Sequence, residues 1–389
     1  MRLLLTLLAF TFLASHTHAQ TWEQVFAKAE KQYTKGKYGK VQKQIDKLRT
    51  KHITKKYGGD SSLYALTYVM EAKANMALAE YDKMFANIDK SLSKLDKWKN
   101  GHQYNYTMGL LRLADLYQDY GNFRKADSII TITESLSSSY LQSDVLQMEI
   151  QIRRAITNVS LGYYNEAKPM VDQLINSWPT KLKLSYNYES VTSADEAYKN
   201  QLLVRLFAAE AALLRGKGEY EKAIEALEKR GKQVNRLADG NSPAYVEFRV
   251  TEASTYLDYG NSSEARKIAG RVTAIKPPGR LYEKAANIDI MACLAEEKFT
   301  DAIGTYNNLE SLLIKAGVKR DYAYFMSNFY GALLRAHEND PNQNIIVRLD
   351  AILAKSSSLV PRDHLIRTLT ADAAINYIFR SNRSQNYPY

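Results

Sequence analysis

Six times in this chain a small residue is followed, nine positions later, by a residue that opens a new amphipathic run, and five of those six openers are aromatic. The pairs are Ala29/Tyr38, Ala72/Tyr81, Ala114/Phe123, Ala155/Tyr164, Ala211/Tyr220 and Ala253/Ser262. Three residues further on stands a second small or apolar residue: Val41, Met84, Ala126, Ala167, Ala223 and Ala265. That second position advances by 43, 42, 41, 56 and 42 residues, then by 37 to Ala302. Self-similarity at a near-fixed period means one structural unit used many times. A single unit of this size cannot bury its apolar face alone, so neighbours must stack into a continuous core.

The unit reads as two helices. In Leu113-Ala-Asp-Leu-Tyr-Gln-Asp-Tyr-Gly-Asn-Phe-Arg-Lys-Ala126 one helix runs into Gly121 and a second starts near Phe123. Glycine ends a helix in the left-handed conformation without steric cost. Gly36, Gly162, Gly218 and Gly260 repeat this stop. So short a turn makes the two helices antiparallel neighbours. Ala114 and Ala126 then face each other at closest approach, with Phe123 beside them.

The pattern resembles the tetratricopeptide repeat. Gly121-Asn-Phe-Arg-Lys-Ala126, Gly162-Tyr-Tyr-Asn-Glu-Ala167 and Gly218-Glu-Tyr-Glu-Lys-Ala223 carry its Gly-x-Tyr-x-x-Ala core, with Phe for Tyr in the first. Pro179 and Pro277 stand twelve residues after Ala167 and Ala265, where that family often ends its second helix. The period departs from the family's usual 34 residues and is closer to its long-helix variety. The resemblance covers roughly residues 22 to 316, and more weakly to 380. It implies an all-α, right-handed superhelical solenoid of seven to eight antiparallel hairpins. It also implies a macromolecular partner, without saying which.

Helical pairs are expected near 22–52, 61–97, 103–137, 143–177, 197–235, 243–275, 281–316 and 320–357, with a capping helix near 362–380. The interval of 56 residues contains an insertion at about 179–200, expected as a loop or short hairpin because Leu182-Lys-Leu-Ser-Tyr-Asn-Tyr188 alternates apolar and polar. Insertions in solenoids map to one face, often the binding face. Residues 381–389 read as a disordered tail.

Residues 1–19 read as a secretory signal peptide. Arg2 supplies the positive start, residues 3–13 the apolar run, and Thr17-His-Ala19 a small-x-small cleavage site that leaves Gln20 first. The run is too short to span a bilayer, which takes ~20 residues. The repeat domain is then 20–380, in the periplasm or outside the cell. The single cysteine, Cys293, lies in the apolar stretch 288–294 and is expected as a small buried residue. Sparse cysteine in an exported chain suits a bacterial envelope.

No catalytic constellation emerges, and no enzyme activity, cofactor or metal is expected. His52, His102, His337 and His364 do not share a helix face at metal-ligand spacing. There is no His-Glu-x-x-His, no Gly-rich phosphate loop and no Gly-x-Ser-x-Gly elbow. Ser91-Leu-Ser-Lys94 matches a Ser-x-x-Lys pattern but sits on a repeat helix without partner motifs.

Charge is more informative. The chain without its leader carries a net +10, of which residues 22–56 hold +8. Lys40, Lys43, Lys47 and Lys51 recur at three- and four-residue steps, on the helix face opposite Val41, Ile45 and Leu48. Two readings stand: a docking face for an anionic envelope surface, or the polar outer face that a terminal repeat needs. Nucleic acid is a poor candidate for an exported protein.

The first helices of such arrays line the groove, which selects Arg112, Asp115, Gln118, Arg153, Arg205 and Arg215 as candidate partner-binding residues. Arginine's planar fork suits carboxylate recognition; the alternative is that these arginines bridge repeats. The expected function is an exported scaffold for a protein or peptide partner in the cell envelope. The alternatives are a cell-wall or glycan-binding module, which 28 tyrosines would allow, and the N-terminal sensor part of a larger protein.

Overall fold

The computed structural model describes residues 22–316, apart from breaks at 35–36, 57–60, 79, 100–102, 141–143, 186–192, 239, 241 and 276–279. The leader, the eighth pair, the capping helix and the tail lie outside the described residues. The described residues form seven helical pairs and contain no strand. The first helices are α1 (Trp22–Thr34), α3 (Ser61–Ala77), α5 (Gln103–Tyr120), α7 (Asp144–Leu161), α9 (Ser193–Gly216), α11 (Pro243–Tyr259) and α13 (Arg280–Ala295). The second helices are α2 (Tyr38–Lys47), α4 (Tyr81–Leu95), α6 (Phe123–Tyr140), α8 (Tyr164–Ser185), α10 (Tyr220–Leu237), α12 (Ser262–Ile275) and α14 (Phe299–Ala316).

The small positions do what the period demands. Ala29, Ala72, Ala114, Ala155, Ala211 and Ala253 are buried, and so are Val41, Met84, Ala126, Ala167, Ala223, Ala265 and Ala302. The turns share one closure. Gly121, Gly162, Gly218 and Gly260 have positive φ. The next N–H reaches five residues back: Asn122 to Tyr117, Tyr163 to Asn158, Glu219 to Leu214 and Asn261 to Tyr256, at 2.8–2.9 Å. This is the Schellman closure of a helix C-terminus. Asn122 and Asn261 then open the next helix, their side-chain oxygens accepting from the N–H groups of Lys125 and Glu264. The seventh pair makes the same turn with Lys298 N to Cys293 O at 2.8 Å, but the residue of positive φ is Glu297, at 58°.

Two local expectations are corrected. The stretch 179–200 is not a loop or hairpin in its described parts: α8 continues through Pro179 to Ser185, and α9 already begins at Ser193. Proline removes one donor, but Lys181-Leu-Lys-Leu184 are good helix formers that resume the ladder. Four alternating residues without a pairing strand do not specify a strand. The proline rule does hold beside Pro277, where α12 ends at Ile275. The second correction is that α2 runs on through a π-helical turn, Leu48–Ile53, into Thr54–Lys56. An α-helical continuation from Leu48 would bring position 52, a histidine, to the core face. The wider turn brings Ile53 there instead, fully buried beside Val41, Ile45 and Leu48.

First helices of successive repeats pack on one another, whereas successive second helices make no comparable contact. The array is therefore tighter on the side of the first helices, which form the inner wall. Between the layers the apolar core runs as overlapping clusters, each shared by successive repeats. No described helix is long and apolar enough to cross a membrane.

Candidate functional site

On a first helix, the positions six and two before and one and five after the repeat's small residue share one face, turned away from the second helices. In repeat three these are Met108, Arg112, Asp115 and Asp119; in repeat four Glu149, Arg153, Ile156 and Ser160. Repeats five and six supply Arg205, Ala209, Ala212 and Gly216, then Glu247, Thr251, Ser254 and Asp258. The inner wall thus carries charge in each of these repeats, and the uncharged positions of repeats five and six are small.

Its centre is Arg153, which has no exposed surface. It grips Asp115 with two nearly parallel hydrogen bonds, Nε to Oδ1 at 2.8 Å and Nη2 to Oδ2 at 3.1 Å. Its Nη1 donates to the Glu149 carbonyl at 3.0 Å and lies 3.5 Å from the Glu149 carboxylate. Gln118 joins from α5, its amide donating to Arg153 O at 3.1 Å and Thr157 Oγ1 at 2.7 Å. Arg205 then reaches over from repeat five. Its Nη2 donates to Gln118 Oε1 at 3.3 Å and to Asp119 at 3.5 Å, and its Nη1 lies 3.8 Å from Asp115. Its Nε faces Glu247 at 3.3 Å. Lys73 closes the other end, 3.9 Å from Asp119. The network ties repeats two to six.

Burial by itself would raise the Asp115 carboxyl. Arg153, Arg205 and Lys73 outweigh it and hold the group at about 2. Burial would likewise lower the Arg205 guanidinium, but Glu247, Asp119 and Asp115 push it above its ordinary range. Asp115 and Arg205 are therefore both charged at neutral pH.

Of the six groove residues expected from the sequence, the structure gathers Asp115, Gln118, Arg153 and Arg205 into this one network. Arg112 shares the face of Asp115 on α5, and Arg215 stands apart in a pair with Asp258 at 3.6 Å. Arg153, Arg205 and Arg215 are bridges between repeats, and Arg153 presents no surface to a partner. The sequence reading missed Lys73, Asp119, Glu149, Glu247 and Asp258. Repeat alignment carries a signal for them. Lys73 and Asp115 both follow the small residue by one, and Glu149, Arg205 and Glu247 all precede it by six.

Other side chains singled out from the sequence have structural partners. Ser91 is buried and donates to Ala65 O at 3.0 Å. Cys293 is buried beside Asp289, and burial followed by that carboxylate pushes its thiol up to about 11. Lys40, Lys43, Lys47 and Lys51 are exposed on the outer layer, far around the repeat from the inner wall.

No protein-family model matches the chain, and neither does any curated protein sequence. Two solved structures follow it over nearly their whole length. NprR in complex with its cognate peptide NprX superposes with a TM-score of 0.52 at 11% identity, covering 92% of this chain and 97% of that one. A Rap protein complexed with competence and sporulation factor gives 0.51 at 13% identity, covering 94% and 99%. The fold is that of a tetratricopeptide-like repeat array. At these identities what is shared is the path of the chain.

Proposed function

We propose that this chain is an exported scaffold that binds a peptide or protein segment along its inner wall and performs no catalysis of its own. The observation that carries this reading is the layering of charge. Arg153, Arg205 and Arg215 have side chains 0%, 14% and 28% exposed, whereas Asp119, Glu247 and Asp258 are 36%, 38% and 47% exposed. The guanidinium groups lie beneath and hold the carboxylates in place; the accessible charge is negative. Arginines on this wall were expected to select a partner's carboxylate. The layering favours the opposite sign, a partner with a lysine, an arginine or a free amino terminus, because complementary potentials set specificity and encounter rate. Two proteins of the same fold, NprR and a Rap protein, were solved with a bound peptide and a bound factor, which supports a partner of this kind.

The test is selection of random dodecapeptides on immobilised chain 20–389. The reading expects enrichment of positively charged peptides, lost on a variant carrying Asp119→Asn, Glu247→Gln and Asp258→Asn. Enrichment of nothing, or of peptides indifferent to these changes, contradicts it. The exported half of the proposal rests on residues 1–19. Mass spectrometry of the native protein should find a chain starting at Gln20; a mass retaining the first nineteen residues contradicts it.

A further inference from the structure

The outer face of repeat one bears a row of cations unlike that of any other described repeat. Lys37, Lys40, Lys43, Lys47, Lys51 and Lys55 are all exposed along α2 and its extension. At 1.5 Å per helical residue the row is about 25 Å long. Among the described residues none of the six is in an ion pair. On later second helices the first lysine is often paired locally, Lys83 with Glu80 at 2.8 Å, Lys168 with Asp172 at 2.7 Å, Lys222 with Glu219 at 2.8 Å and Lys267 with Glu264 at 3.0 Å, and the lysines left without an ion pair there do not form a row of six. Solubility at an array's end requires a polar face, and mixed charge provides one, as the other repeats show. A row of like charges at helical spacing repels itself, so solubility alone does not account for it.

We propose that this row docks the protein on an anionic lipid surface. The chemistry of the row favours a lipid surface over an acidic protein. Specific protein interfaces are anchored by a few large buried side chains, commonly aromatic or arginine. Here the large apolar residues of the helix, Val41, Ile45, Leu48 and Ile53, are all turned into the core, and the helix's arginine, Arg49, is turned inward. Its Nη2 is 2.7 Å from Glu71 and its guanidinium lies over the Tyr68 ring. The cations that remain outside are all lysine, with Asp46, 3.8 Å from Arg49, the one exposed carboxylate among them; lysine is a compact, strongly hydrated point charge without the directional fork that selects a shaped partner. A straight row of such charges on a convex layer suits a flat, diffuse anion field, where each lysine adds about fivefold to the partition. The π-helical turn serves this arrangement, because it seats Ile53 in the core while Lys51 and Lys55 stay outside.

The test is co-sedimentation of chain 20–389 with vesicles of phosphatidylcholine alone and with vesicles containing 30% phosphatidylglycerol. Soluble polyglutamate and a DNA duplex serve as counter-probes. The proposal expects binding to the anionic vesicles only, lost in high salt because exposed charges are screened. Neutralising Lys40, Lys43, Lys47 and Lys51 to glutamine should weaken partition roughly several hundred-fold, and reversing all four to glutamate should weaken it further. Unchanged circular dichroism and thermal midpoint establish that both sets fold. Equal sedimentation of parent and reversed variant overturns the proposal, as does binding to polyglutamate or DNA without binding to vesicles.

Discussion

Arg205 and Gln118 belong to repeats that are not neighbours, yet the Arg205 guanidinium donates to Gln118 Oε1 across 3.3 Å. In a simple solenoid each repeat touches only the next, and stability is a sum of nearest-neighbour terms. Here one side chain bridges repeats three, five and six. Arg205→Ala is therefore expected to loosen the coupling between the halves of the array as well as to destabilise it. Urea unfolding followed by circular dichroism should show a shallower transition for this variant, since the slope scales with the surface exposed together. A parallel shift with unchanged slope would mean that the bridge carries no cooperativity.

The Arg153–Asp115 pair makes a sharper energetic prediction. Removing one partner of a buried ion pair strands the other, at about 3–5 kcal/mol. Asp115→Leu alone should cost about that much, and Asp115→Leu with Arg153→Met should recover most of it. Failure of the second change to restore the unfolding midpoint would place the energy in Gln118 and Glu149 rather than in the pair.

The same carboxylate fixes the sign of a pH effect. Asp115 is depressed to about 2 from 3.8, so the folded state binds its proton later than the unfolded state. Its contribution is fully present above the unfolded value near 4 and fades as pH falls through about 2. Stability measured against Asp115→Asn between pH 6 and pH 2 should converge by about 2 kcal/mol at the acid end. Asp289 runs the other way: burial, opposed by Thr305 and Arg266, raises its carboxyl. Its share of stability is thus greater at low pH and declines as pH rises through its folded value. A gap between parent and the Asp115 variant that stays constant to pH 2 would contradict the assignment.

Close packing at the repeat's small positions is tested by Ala155→Leu and Ala167→Leu. Both alanines are fully buried where α7 meets α8, so the added carbons must displace neighbours, at about 1–3 kcal/mol. Lys47→Leu on the exposed outer face is the control. Alanine variants that melt with the control would refute the repeat phase.

That phase was legible because it rests on periodic small residues, whose packing is local to each hairpin. Every one of them lies in the core. The insertion was misread because Pro179 and a short alternation are local signals too. The contrary signal, which the loop reading did not use, is Ser193-Ala-Asp-Glu196, a helix-start pattern at the residue where α9 begins. The candidate groove arginines were found by the same phase argument, but their burial was not. Whether Arg205 or Glu247 faces the partner depends on contacts 86 and 87 residues away in sequence, and no local pattern encodes which member of a pair lies on top.

The seventh turn offers a stabilising change. Four described turns place glycine at the left-handed position, whereas here Glu297 occupies it at φ 58°. A side chain in this conformation costs roughly 1–2 kcal/mol through the clash of Cβ with the following carbonyl. Glu297 is exposed, so its removal forfeits no packing. The backbone closure, Lys298 N to Cys293 O, does not involve its side chain. Glycine also gives the unfolded chain more freedom, which returns part of the gain. The net expectation for Glu297→Gly is stabilisation by about 0.5–1 kcal/mol. The reciprocal change, Gly260→Ala, has no steric contact to confuse it, because a Cβ there meets nothing within 4 Å; it should destabilise by a similar amount. Thermal midpoints of the two variants should therefore move in opposite directions from the parent. If Glu297→Gly lowers the midpoint, the glutamate side chain contributes something at this turn that outweighs the strain of its backbone.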